Sequence, residues 1–137
     1  MKDQYFGDFG DYQKVSLLKC LQKKNLKVLV HWLKTKDDSS TDGKHITYLE
    51  KSELWANFDT DVFKLLKEKI GSGERSLTHI ETSEFCSEVE FINEYIEDED
   101  IRKKTLEQVI KSNAEVVLFD PDNGIQVVSS NMKNIHK

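Results

Sequence analysis

Two short stretches of this chain carry residue types that do chemistry. The first, Asp120-Pro121-Asp122-Asn123-Gly124, closes a wholly apolar run with two carboxylates, a proline, an amide and a glycine. In an open α/β sheet, ligands sit outside the carboxyl ends of the strands, so an aspartate ending a buried strand stands where chemistry is done. Asp120 and Asp122 offer the carboxylate oxygens that a hard cation such as Mg2+ takes, and that a ribose hydroxyl takes equally well. The second stretch, Tyr5-Phe6-Gly7-Asp8-Phe9-Gly10-Asp11-Tyr12-Gln13-Lys14, brings two acids and a lysine. Placed at the same sheet edge as Asp120, Asp8, Asp11 and Lys14 would serve metal-assisted phosphoryl chemistry. His45, beside Asp42-Gly43-Lys44, is the histidine a loop makes available to assist, whereas His31 and His79 fall in expected strands and suit a satisfied core role.

The same residues also have plain structural uses. Asp, Pro and a following Gly suit a tight turn that would pair 116–119 with 125–128 as a hairpin. Asp11 is a natural N-cap, with Gly7 and Gly10 shaping the entry to a helix. Gly-x-x-Gly with no strand before it is a weak phosphate-loop signal. No Ser, His and Asp set is indicated.

The elements that must position these residues alternate between α and β. The spacing predicts a helix from Asp11 to about Lys24, with Lys14, Leu17, Leu18 and Leu21 on one face and Val15 beside them. A buried strand is expected over 26–33, then a polar loop over 34–44, a short strand or turn over 46–49, and Leu54, Trp55 and Phe58 packed beneath the loop. Asp59 should cap a helix carrying Val62, Phe63, Leu66 and Ile70 and stopped by Gly71. A second strand is expected over 77–80. An amphipathic helix through Phe85, Val89, Ile92 and Ile96 should follow, then a helix over 101–112 with Leu106, Val109 and Ile110 inward, and a third strand over 115–119. Strands separated by helices imply crossovers and a largely parallel sheet. The expectation is one three-layer α/β domain over 1–130, with a small, mostly parallel sheet of three to five strands flanked by helices and a mobile tail over 131–137.

A chain of 137 residues is long enough to bury a core without staples. No apolar run of spanning length or leader-like N-terminus is present, so a cytoplasmic location is expected. Cys20 and Cys86 lie far apart without zinc spacing and should be reduced and at least partly buried. The formal net charge of −5 is unevenly spread. No Lys or Arg falls between Ser76 and Ile101, a window that holds Glu81, Glu84, Glu88, Glu90, Glu94, Glu97, Asp98, Glu99 and Asp100. Charge of one sign gathered in this way repels duplex phosphate and attracts basic partners.

The YFGD start with Asp11-Tyr12 and Lys14, the Asp42-Gly43-Lys44-His45 segment with Tyr48-Leu49, and the Asp-Pro-Asp-Asn-Gly box resemble a family of uncharacterised bacterial and phage proteins. Members of that family continue beyond the box with further basic and aromatic motifs, and this chain resembles their first part. More remotely, an apolar strand ending in Asp-Pro is similar to the fourth motif of Rossmann-like methyltransferases, although no glycine-rich loop follows residues 26–33.

Two functional expectations follow. The first is a small binding or inhibitory module of phage or mobile-element type, for example an anti-CRISPR-like inhibitor. It would use no cofactor and would dock Glu84, Glu88, Glu90, Glu94, Glu97, Asp98, Glu99 and Asp100 on a basic groove of a nucleic-acid enzyme, with an uncovered sheet edge available for a homodimer. The second is a nuclease-like, phosphoryl-transfer or methyltransferase-like enzyme using Mg2+ or a nucleotide, with Asp8, Asp11, Lys14, His45, Asp120 and Asp122 at its centre.

Overall fold

A computed structural model describes residues 1–38, 43 and 45–121. Helix α1 spans Phe9–Lys23, strand β1 Val28–His31, α2 Ser52–Trp55, α3 Thr60–Gly71, α4 Thr78–Glu81, β2 Val89–Ile92, α5 Glu99–Lys111 and β3 Val116–Phe119. Short 3-10 turns occupy Asp3–Tyr5, Thr47–Glu50 and Glu84–Cys86. The three strands are parallel in the order β2-β1-β3, with Val28 opposite both Val89 and Val116.

Side chains alternate across a strand, so β1, buried along its whole length, serves two cores. Val28 and Val30, followed by Trp32, face one side and pack in a cluster with Val15 and Leu18 of α1 and Val62, Phe63 and Leu66 of α3. Burying each such apolar side chain contributes roughly 1.5–3 kcal/mol. His31 faces the other side, where its Nε2 lies 3.0 Å from the Thr105 hydroxyl of α5. Helices thus cover both faces, which makes a three-layer α/β domain. A parallel sheet enclosed in this way favours a continuous apolar run such as Val28-Leu29-Val30.

Several elements depart from the sequence expectation. Residues 77–80 form no strand; Leu77 and Ile80, both fully buried, are three apart, the spacing of one helical face at α4. The expected amphipathic helix through 85–96 is instead the short turn Glu84–Cys86 followed by β2. Val89 and Ile92 are buried and Glu90 exposed in that strand, and its pairing with β1 overrides the helical spacing. Asp11 is not the cap of α1: Asp8 is, accepting the Asp11 N–H at 2.9 Å.

Leu17, Leu54, Phe58 and Ile110, expected inside, are exposed, as is Cys20. The inward face of α1 runs through Asp11, Tyr12, Val15 and Leu18. On α5 the buried positions are Arg102 and Thr105. Asp59 caps α3 as expected, and the positive φ at the end of that helix falls on Gly73 rather than Gly71. The expected hairpin partner 125–128 and the tail 131–137 lie outside the described residues.

Candidate functional site

The order β2-β1-β3 makes the chain leave β1 toward one edge and return to form β3 on the other. β1 and β3 lie side by side in parallel, and the carboxyl ends of such strands are where open α/β sheets hold ligands. Asp120 lies one residue beyond β3, held there by its N–H donating to the His31 carbonyl at 3.0 Å. The Met1 nitrogen bridges the same gap, donating to the Leu33 carbonyl at 3.0 Å and the Asp120 carbonyl at 3.4 Å.

From α1, Asp11 and Lys14 reach this point together, because residues three apart on a helix are neighbours. Lys14 Nζ lies 2.8 Å from Asp11 Oδ1 and 2.7 Å from Asp120 Oδ2. Asp11 is fully buried, and its Oδ2 accepts the Gly7 N–H at 2.9 Å. Its Oδ1 has no aligned hydrogen-bond donor, so the short approach of the ammonium there acts as an ion pair. Burial pushes the Asp11 carboxyl up to about 6, against the pull of Lys14 and with the support of the Asp8 and Asp120 charges. Burial by itself would depress Lys14, but the charges of Asp11 and Asp120 outweigh it and raise the ammonium above its ordinary range. Lys14 is therefore a fixed cation and a hydrogen-bond donor, not a base.

Fully buried Trp32 backs Lys14 and is tied in turn to Glu81 and Asn93, none of which was placed at a site from sequence. The Trp32 ring lies 5.8 Å from Lys14 Nζ. Its Nε1 donates to Glu81 Oε1 at 2.9 Å, and Asn93 donates to Glu81 Oε2 at 3.1 Å. A tryptophan directly after a buried strand was the available signal. The site role of Glu81 was hidden because residues 77–80, most of which form α4 with it, were expected to be a strand.

Of the residues expected at an enzymatic centre, the structure brings Asp11, Lys14 and Asp120 into contact and uses Asp8 as the helix cap beside them. His45 belongs elsewhere: its carbonyl accepts the Phe9 N–H at 3.1 Å, and its side chain lines a separate cleft. Asp122 lies outside the described residues. Among the described residues, no group of three His, Cys, Asp or Glu is placed to hold a metal ion.

The acidic window is dispersed over several elements. Glu84 sits in a turn, Glu88 before β2, Glu90 on β2, and Glu94 and Glu97 between β2 and α5. Asp98 caps α5, accepting the Ile101 N–H at 2.8 Å, and Glu99 and Asp100 occupy its first turn, where the helix dipole favours them. Glu94 pairs with Lys104 at 3.1 Å and Glu97 with Lys36 at 2.7 Å. Among the described residues, no helix is long and apolar enough to cross a membrane. Compared with protein-family models, curated proteins and solved structures, the chain matches none.

Proposed function

We propose that the chain is a ligand-binding domain working from the carboxyl end of its sheet, where Asp120 and Lys14 take the hydroxyls of a nucleoside-class ligand. The observation that carries this reading is the line of charges Asp11–Lys14–Asp120, which ties α1 to the carboxyl end of β3, beside that of β1. Asp11 is enclosed and acts by holding Lys14 in place. Lys14 and Asp120 are 21% and 16% exposed, enough for a ligand to reach them. Together they present a donor beside an acceptor, which suits a hydroxyl because it both gives and takes a hydrogen bond. A divalent ion between Asp11 and Asp120 would have to displace the ammonium already there, so the nucleoside reading is preferred to the metal reading.

Thermal unfolding with adenosine, S-adenosylmethionine and Mg2+ tests this, since a ligand bound only by the folded chain raises Tm. The expected result is a shift with the ribose-bearing compounds that is reduced in Asp120→Asn. A shift with Mg2+ alone, or none with any compound, overturns it.

A second reading, docking on a basic protein partner, has one observation in its favour: Glu90 is exposed on β2, an edge strand that pairs only with β1 among the described residues. Reversal of Glu88 and Glu90 to lysine should then abolish salt-sensitive capture of that partner, and unchanged capture would end this reading.

A further inference from the structure

On the other side of α1 lies a cleft of about 230 Å³ lined by Phe9, His45, Thr47, Tyr48, Lys51 and Trp55. Its aromatic walls meet edge to face: the ring centroids of Phe9 and Trp55 are 4.8 Å apart at 69°, and those of Phe9 and Tyr48 5.4 Å apart at 72°. The walls are fixed from behind. Tyr12 donates its hydroxyl to the Trp55 carbonyl at 2.7 Å, Tyr48 donates to the Gly7 carbonyl at 3.1 Å, and the Phe9 N–H is held by His45. A preformed aromatic site of this kind binds a planar ring with little ordering cost.

The charge around it is one-sided. His45 and Lys51 are both exposed at the rim, neither forms an ion pair with another described residue, and among the described residues no carboxylate lines the cleft. A quaternary ammonium, the usual guest of an aromatic cage, would meet two basic side chains there. An aromatic ring bearing an anionic group meets complementary charge. The volume suits one ring system and falls below the range of sites for larger ligands. A polynucleotide track would need a basic stripe with successive stacking platforms, whereas this chain carries a net charge of −5.

We propose that this cleft binds a mononucleotide, with the base against Phe9 and Trp55 and the phosphate on Lys51 and His45. The proposal does not depend on the ligand at the sheet's carboxyl end, because Phe9 and Asp11, two positions apart, point about 200° apart around α1.

Calorimetric titration with adenosine 5′-monophosphate tests it, carried out in the Asp120→Asn variant so that the site at the sheet's carboxyl end does not contribute, with adenosine, inorganic phosphate and single-stranded oligodeoxyadenylate as companion probes. The monophosphate should bind more tightly than adenosine or phosphate alone. Lys51→Ala, an exposed change that leaves the fold intact, should weaken it about tenfold, as loss of one charge-assisted hydrogen bond implies. Trp55→Leu should weaken it further while circular dichroism stays unchanged. Absence of binding, equal affinity for adenosine, or insensitivity to Lys51→Ala would overturn the proposal. Tighter binding of the oligonucleotide than of the monophosphate would replace it with a single-strand site.

Discussion

Replacing Asp11 by asparagine removes a buried charge while keeping the shape of the side chain and an oxygen to accept the Gly7 N–H. The Asp11 carboxyl binds its proton more tightly in the folded chain, at about 6, than at the ordinary 3.8 of an unfolded one. Between those values the native state holds more protons than the unfolded state, so stability falls as pH rises, and the cost is complete above about pH 6. A difference in proton affinity of this size is worth about 3 kcal/mol, and no solvent screening reduces it because the group is fully buried. Lys14 stays cationic across this range and keeps Asp120. Urea unfolding of both proteins in steps from about pH 4 to pH 7 therefore has a definite expectation: the variant gains about 2 kcal/mol on wild type over that range. Other titrating groups largely cancel in that difference. A pH-independent difference, or a variant that loses ground as pH rises, would refute the account of Asp11 as a carboxylate charged at the expense of the fold.

Leu18→Ala empties a fully buried position between α1 and the sheet and should cost about 2–5 kcal/mol in chemical denaturation. Asp98→Ala removes the cap of α5 and should cost about 1 kcal/mol in the same assay. Gly43 and Gly73 both have positive φ, but a Cβ at Gly43 would stand 2.8 Å from the Tyr5 Cα, while one at Gly73 meets nothing within 4 Å. Gly73→Ala should therefore cost about 1–2 kcal/mol from backbone strain alone, and Gly43→Ala clearly more, as compared by thermal unfolding. Thr105→Val leaves the buried His31 ring without its hydroxyl partner and should cost about 1–3 kcal/mol. His31, pushed down to about 4 chiefly by burial, should show no imidazole titration above about pH 5 by NMR in the wild-type chain.

The parts of the fold that were legible in the sequence are those where local and tertiary preferences agree. Val28-Leu29-Val30 and Val116-Val117-Leu118 are apolar on both faces because helices cover both, and such runs have no competing reading. The cap at Asp59 and the apolar spacing of α3 coincide in the same way. Residues 77–92 were illegible because Leu77 and Ile80 fit a short strand as well as a helix turn. Val89 and Ile92 match helical spacing by chance, and only the pairing with β1 decides between the forms. At the candidate site, Asp11 and Lys14 could be placed together by helical spacing and Asp120 by the end of an apolar run. The tie between Trp32, Glu81 and Asn93 joins three elements distant in sequence, and no local pattern records it. The acidic window was visible as composition, but composition does not say that its members divide among a turn, a strand, a loop and a helix start.

The position of β1 in the middle of the sheet has a kinetic consequence. Of the three described strands it is made before the other two, so both of its hydrogen-bonding edges wait for strands made later. The contact between Lys27 and Glu115 closes a separation of 88 positions. Pairing over such distances spends chain entropy before it returns any energy, which slows folding. Until then, four consecutive residues that end up fully enclosed remain open to association with other chains. Helix α1, formed from local contacts and synthesised just ahead of β1, packs against it and can shield it, so mutations that weaken α1 should lower the yield of folded protein more than they lower its final stability.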